Sequence, residues 1–220
     1  KEALRPHGIK MAPHVVVGST DGGEIAHVLR NFWATHHEII VKPVCGGSSL
    51  GCFFIKNEAD IVPAVIKIAN QKRLFMAEKV IHGREITVGV IEDEHGIRAL
   101  LGTEIVMEKA HSFDYEGKYL GKGSQEITPA PLYDDVMREA QHIAICAHRG
   151  LALQGYSRTD LILANDGFYY LETNTLPGMS SSSLVPQQLA LANISLRQFL
   201  LGQIELVAAA PISTPRKGAQ

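Results

Sequence analysis

Cysteine is scarce: Cys45, Cys52 and Cys146 are the three in 220 residues, with no C-x-x-C pair. That count cannot build a disulfide framework and fits a reducing compartment, where small buried hydrophobes are the ordinary role of such thiols. No apolar run reaches the roughly 18 to 20 residues of a membrane span, and no signal-peptide pattern opens the chain, so the expectation is a cytoplasmic protein without a membrane partner. Neither sign of charge dominates. Lys and Arg number 21 against 23 Asp and Glu, a net charge of -2, which leaves no basic field to draw nucleic acid. The ten histidines form no H-E-x-x-H and no Cys/His cluster, which argues against a histidine-bound metal. Ser181 to Ser183 lie outside any G-x-S-x-G elbow, which argues against a serine hydrolase.

What is present is enough apolar residue, 45% of the chain, to bury a sizeable core in one large domain or two small ones. "KEALRPHGIKMAP" looks helical. "PHVVVG" reads as a strand, and Asp21 can cap a helix running to about Ala34. "EIIVKPVCGGSSLGCFFI" is strand, glycine-and-serine loop, strand. A helix is expected over roughly Ala59 to Gln71, followed by β-rich runs "RLFMAEKV", "REITVGVIE" and "IRALLGTEIVM" and by an irregular segment from Glu108 to Gln125. Asp134 is placed to cap a helix with Val136, Ala140, Ile143 and Ala147 on one face. "GYSRTDLILA" and "GFYYLETNT" form a hairpin around Asn165-Asp166-Gly167. Ser195 caps a last helix, and residues 211–220 read as a disordered tail. The class is α+β with antiparallel sheets.

The hairpin carries the most chemistry. Residues i and i+2 of a strand share a face, so Arg158 accompanies Asp160, and Glu172 accompanies Asn174. Two carboxylates facing each other across a hairpin repel unless a cation lies between them. Oxygen donors from Asp, Glu and Asn, without His or Cys, favour Mg²⁺ over zinc. A solvated polar face is the alternative that spacing alone leaves open. The adjoining "TLPGMSSSSL" offers backbone N–H groups and hydroxyls suited to an anion or oxyanion, and Arg158 can stabilise negative charge beside a metal.

Three further stretches bear on a ligand. In "VKPVCGGSSLG", Gly46, Gly47 and Gly51 permit close backbone approach, Ser48 and Ser49 add donors, and Lys42 supplies a point charge for phosphate. The stretch is neither a Walker A sequence nor a G-x-G-x-x-G before a helix, and a ligand-free hairpin stays open. In "AEKVIHGREITV", Glu78 and Glu85 bracket Val80 and Ile81, which could wall a flat base while a carboxylate accepts from ribose. Lys118 and Tyr119 lie in the irregular segment, where a closing lid could carry them over a substrate.

Taken in order, "VKPVCGGSSLG", "AEKVIHGREITV", "FDYEGKYL", "GYSRTDLIL" and "LETNTLPGMSSSSLVP" resemble the central and C-terminal parts of the D-alanine–D-alanine ligases, which are ATP-grasp enzymes. The resemblance runs from about Lys1 to the last helix. It implies an ATP-grasp fold of two α/β subdomains with antiparallel sheets gripping ATP between them: residues 1–90 with the grasp loop near 44–51, then 91–210 as the catalytic subdomain. It implies ATP-dependent joining of two D-alanines through a D-alanyl phosphate, for peptidoglycan precursors. By the same resemblance, Lys42, Ser48, Glu78, Lys79, Ile81 and Glu85 hold the nucleotide, and Asp160, Glu172 and Asn174 ligate two Mg²⁺ or Mn²⁺ ions. Arg158, the Gly178 amide, Ser49 and Tyr119 serve the chemistry. Ser183, Leu184 and Lys118 hold substrate.

Departures fall beside these positions rather than on them: Cys45-Gly46-Gly47 stands where the family often has "REG", and Thr159, Thr173 and Leu176 are variants inside matching motifs. The family's N-terminal domain is expected to be missing, and with it part of a homodimer interface. The 220 residues alone should then bind nucleotide and Mg²⁺ while catalysing poorly or not at all. Another ATP-grasp carboxylate–amine ligase and a non-catalytic nucleotide-binding module are the competing expectations. The serine loop and Lys118-Tyr119 disfavour the first; intact Arg158, Asp160, Glu172 and Asn174 disfavour the second.

Overall fold

β-branched and aromatic runs pair as sheets throughout the computed structural model, which describes residues 1–45, 51–71, 73–107 and 124–209. The described residues gather into two compact units, one from Lys1–Lys10, Arg84–Ile105 and the described residues from Glu126 onward, the other from the described residues of Met11–Gly83 and of Val106–Gln125. The strand crossing residue 90 is continuous and lies whole within the first unit, so the expected 90/91 junction falls inside a strand. Residues 211–220, expected as a disordered tail, lie outside the described residues.

In the second unit, β1 (His14–Val17), β2 (Ile39–Pro43), β3 (Phe53–Ile55) and β4 (Phe75–Lys79) form an antiparallel sheet in the order β1-β4-β2-β3. Alternation sends Ile39, Val41, Phe75 and Ala77 to one face, where they pack with Ile25 and Leu29 of α1 (Gly22–His36) and with Ile61, Ala64 and Ile68 of α2 (Ile61–Ala69). Burying a side chain of the size of Phe75 stabilises by about 2–3 kcal/mol. Asp21 caps α1 as its position suggests, its carboxylate accepting from Glu24 N–H at 2.9 Å. The opposite face carries Ile40, Lys42, Met76 and Glu78.

In the first unit, but for residues 106–107 and 124–125, β5 (Arg84–Asp93), β6 (Gly96–Ala99), β7 (Thr103–Met107), β8 (Ser124–Ile127), β9 (Tyr156–Ala164) and β10 (Gly167–Asn174) form a sheet in the order β10-β9-β5-β7-β8, with β6 also on β5. One face is covered by α3 (Asp134–Gly150), whose Met137, Ala140, Ala144, Ala147 and His148 are buried. At the other face, Val185 and Leu189 of α4 (Leu184–Leu191) and Phe199 of α5 (Leu196–Ala209) close over Ile91 and Leu100.

Register decides the chemistry. From its turn the β9–β10 hairpin runs Ala164↔Gly167 to Leu161↔Tyr170, then slips by one residue and resumes at Asp160↔Glu172 and Arg158↔Asn174. Leu171 is the extra residue of a β-bulge. Without the slip, Glu172 would oppose Thr159 and turn to the α3 side; with it, Glu172 and Asn174 share a face with Asp160 and Arg158.

Several expectations shift. "KEALRPH" is a 3-10 helix, Glu2–His7, because Pro6 lacks an N–H and Gly8 ends the turn at φ 68°. The long helix expected over Ala59–Gln71 begins as a 3-10 turn, Glu58–Asp60. "IRALLGTEIVM" divides into β6 and β7 around Gly102, and Ser124 and Gln125, expected in the irregular segment, belong to β8. Tyr133, not Asp134, is the N-cap of α3, and Val136 and Ile143 stand half-buried beside the buried stripe rather than in it. Ser195 does cap the last helix, its hydroxyl accepting from Gln198 N–H. Helix α4 goes unread because Pro186 sits in its first turn, where proline is tolerated. No helix among the described residues is long and apolar enough to cross a membrane.

His148 is fully buried, with Nδ1 2.8 Å from Ser157 Oγ and Nε2 without a partner among the described residues. Burial lowers its pKa below the ordinary 6.5, with Glu92 opposing and Arg149 reinforcing. The folded chain therefore binds fewer protons than the unfolded one just below that value, and stability present above about pH 6.5 is lost as pH falls through the lowered pKa. Replacing His148 with Gln is expected to flatten the fall in urea midpoint between about pH 7 and pH 5. An unchanged slope would contradict this.

Candidate active site

Three neighbouring strands present two polar rungs on one face of the first unit's sheet. Thr87, Asp160 and Glu172 align across β5, β9 and β10, and Gly89, Arg158 and Asn174 align on the next rung of that face. Asp160, only 8% exposed, is the centre of the cluster. Arg158 donates from Nε to Asp160 Oδ1 and from Nη2 to Oδ2, both at 2.9 Å. Thr87 Oγ1 donates to Oδ1 at 2.5 Å, and Asn174 Nδ2 donates to Oδ2 at 3.0 Å. A buried carboxylate needs such company, since an unpaired charge out of water is costly.

Glu172 stands exposed opposite Asp160, a second negative charge on the same rung. Burial raises the Tyr170 phenol above its usual pKa, its bond to Thr173 opposes, and the charges of Glu172 and Asp160 raise it further. Arg158 pairs with Asp160, the more buried of the two facing carboxylates. Among the described residues no group of three His, Cys, Asp or Glu side chains is arranged to hold a metal; the donors here are two carboxylates and one carboxamide. Hard oxygen donors in that combination fit Mg²⁺ or Mn²⁺ better than a softer metal.

The loop after β10 ends at Ser183, the N-cap residue of α4, whose hydroxyl makes no capping bond and lies 2.8 Å from Ser180 Oγ. Gly178 is exposed, and a Cβ there would come within 2.8 Å of Ser183 Oγ, so a side chain at 178 would displace that hydroxyl. Leu184, half-buried, opens the helix. Glu85, on β5, occupies the same face as Thr87, opposite Ile162 and Ile105.

In the second unit, Lys42 and Glu78 lie diagonally on β2 and β4, and Lys42 Nζ is 2.6 Å from Glu78 Oε2. Glu78 is 2% exposed and Lys42 20%, so the pair is shielded from solvent screening. Lys79 points to the opposite face from Glu78, beside His36, whose pKa is lowered first by burial and then by the Lys79 charge. The structure thus joins Lys42 to Glu78 and separates Lys79 from them. Ile81 is half-buried just after β4. Ser48 and Ser49, and Lys118 and Tyr119, lie outside the described residues.

Sequence reasoning passes over Thr87 and Gln188. Thr87 has a signal in hindsight: Glu85, Thr87 and Gly89 alternate with Ile86, Val88 and Val90 in a strand buried on both faces, where a polar stripe needs a partner.

The family model described as "D-ala D-ala ligase C-terminus" matches residues 4–205. A D-alanine--D-alanine ligase of Syntrophobacter fumaroxidans is 38% identical over 200 residues, covering 90% of this chain and 63% of that protein. Among solved structures, D-alanyl-alanine synthetase A from Vibrio cholerae superposes with a TM-score of 0.83 at 22% identity, over 95% of this chain and 62% of that one. D-alanine--D-alanine ligase from Bacillus anthracis complexed with ATP superposes with a TM-score of 0.72 at 20% identity, over 93% of this chain and 62% of that one. The chain spans about three fifths of the length of these proteins, and the fold is theirs, the ATP-grasp fold. With the rungs of β5, β9 and β10 in place and a family match over nearly all of its length, the chain belongs to the D-ala D-ala ligase C-terminus family.

Proposed function

We propose that this chain is the nucleotide-binding and catalytic portion of an ATP-dependent ligase that joins two D-alanines into D-alanyl-D-alanine. The observation that carries this reading is the face shared by Arg158, Asp160, Glu172 and Asn174. The relative bearing the D-alanine--D-alanine ligase name and the ATP-complexed structural neighbour support it.

Phosphoryl transfer needs alignment and charge neutralisation more than a covalent nucleophile, and the residues suit that division of labour. Asp160, Glu172 and Asn174 would hold Mg²⁺ or Mn²⁺, which neutralises phosphate charge when bound. The carboxylate of the first D-alanine attacks the γ-phosphorus of ATP, giving D-alanyl phosphate and ADP. The amine of the second attacks the acyl carbon, and phosphate leaves. In this reading Arg158 shifts its donors from Asp160 to the oxygen that gains charge at that carbon, with the Gly178 N–H as a second donor. In the same reading Ser183, the N-cap of α4, holds the second substrate's carboxylate, with Leu184 beside it. Lys42 carries charge for the phosphates, with Glu78 fixing its position; Ile81 flanks the base and Glu85 accepts from ribose. Lys79, Ser48, Ser49, Lys118 and Tyr119 belong to the same proposal, as do peptidoglycan precursor synthesis, a cytoplasmic location and a homodimer of the full-length protein.

The longest native form of the protein containing this chain is expected to release phosphate from ATP in a D-alanine-dependent manner and to form the dipeptide. Arg158→Met is expected to lower kcat by about 10²–10³-fold, and Glu172→Gln to raise the Mg²⁺ concentration needed for half-maximal rate. Phosphate release that depends on a different amino acid would remove the D-alanine assignment. For Lys42→Met, KM for ATP is expected to rise more than kcat falls, because its contact with phosphate is made in ground and transition states alike. Steady-state kinetics on the pair of proteins checks this, and an unchanged KM would contradict it.

A further inference from the structure

Strand β5 has a gap along one edge. Its pairing with β7 ends at Thr87↔Thr103 and its pairing with β6 begins at Val90↔Ala99. Between them, the Thr87 carbonyl and the Gly89 N–H have no strand opposite. Gln188, fully buried on α4, takes that place: its Oε1 accepts from Gly89 N–H at 2.8 Å, and its Nε2 donates to Thr87 O at 3.1 Å and to Thr103 Oγ1 at 3.0 Å. A side-chain amide substitutes here for a peptide group of a neighbouring strand. The absence of a side chain at Gly89 makes room for it, since a Cβ would lie 2.7 Å from Gln188 Oε1.

The consequence runs through Thr87. Its backbone is fixed on one side by β9, where it pairs with Asp160, and on the other by Gln188. Its side chain is buried and donates to Asp160 Oδ1, the carboxylate at the centre of the cluster. When Arg158 leaves it, Asp160 keeps one donor on each oxygen, Thr87 on Oδ1 and Asn174 on Oδ2, and of the two Thr87 is the one not itself proposed as a ligand. Thr87 is neutral, so its hydrogen bond orients the carboxylate without cancelling the charge that a cation requires, in contrast to Arg158. Gln188 also belongs to the helix whose N-cap is Ser183, so the anchor of Thr87 and the end of the serine loop lie on one element.

We infer that Thr87 is a positioning residue for the cation site: locked by Gln188, it holds Asp160 in the orientation in which it binds a divalent ion. The inference rests on the proposed role of Asp160 as a ligand. The test is Mn²⁺ binding to the 220-residue chain with a non-hydrolysable ATP analogue, followed by equilibrium dialysis with the same free analogue in both compartments, so that only the excess Mn²⁺ on the protein side is counted. The wild-type chain is expected to bind Mn²⁺, Asp160→Asn to lose that binding, and Thr87→Val to bind about tenfold more weakly. Thr87→Ser, which keeps the hydroxyl, is expected to restore the affinity, which a purely packing role for the threonine would not produce. Thermal melts without metal verify that each variant is folded, with Thr87→Ala used where Val disturbs packing. Wild-type affinity in the folded Thr87→Val or Thr87→Ala chain, with binding lost in Asp160→Asn, would overturn this inference and leave the cation site standing. An Asp160→Asn chain that binds Mn²⁺ as the wild type does, or a wild-type chain that binds none, would overturn both.

Discussion

The buried carboxylate of Asp160 is the constraint around which the first unit is organised. A charge taken out of water must be paired and its lone pairs satisfied, or it is strongly destabilising. Four hydrogen bonds from three side chains do this, and each donor comes from a different place in the sequence: Thr87 from β5, Arg158 from the same strand as Asp160, and Asn174 from β10. Those strands must be adjacent and in register for the carboxylate to be tolerated. The order β10-β9-β5, the bulge at Leu171 and the seating of Gln188 on β5 can all be understood as conditions for one ionised group to sit at the centre of a sheet.

The same arrangement is what makes the face chemically useful. Structural ion pairs are usually satisfied locally, and hydrophobic residues of similar size often serve stability as well. Here Glu172 adds a second carboxylate on the same rung, which increases repulsion. A sheet that tolerates that repulsion is suited to an added cation. In the second unit the Lys42–Glu78 pair shows a similar logic on a smaller scale: a buried glutamate holds a lysine at a fixed position on a sheet face that the unit's own helices leave uncovered.

Much of this was legible in the residues, and the parts that were not have physical causes. Alternation in "GYSRTDLIL" and "LETNT" places like-faced pairs within each strand correctly, because a strand's period of two is rigid. It cannot reveal that the two pairs face the same way, because that depends on the single-residue slip at Leu171; bulges leave no mark in an apolar-polar pattern. Helix α3 was legible as a helix but not in phase: Ala140, Ala144 and Ala147 are small, so neighbouring Val136 and Ile143 carry more apparent weight in the pattern than their half-buried positions warrant. Gln188 was invisible for a different reason. Its role depends on an edge of β5 left open where a run expected as one strand divides into β6 and β7, a tertiary circumstance.

The central claim is that this face serves the activation of a carboxylate by ATP. The most direct measurement uses D-alanine labelled with ¹⁸O in its carboxylate, turned over with ATP and Mg²⁺ by the longest native form of the protein, with mass analysis of the phosphate released. Attack of that carboxylate on the γ-phosphorus, followed by departure of phosphate from the acyl carbon, is expected to carry one ¹⁸O from each activated D-alanine into phosphate. Phosphate released without label would contradict the account.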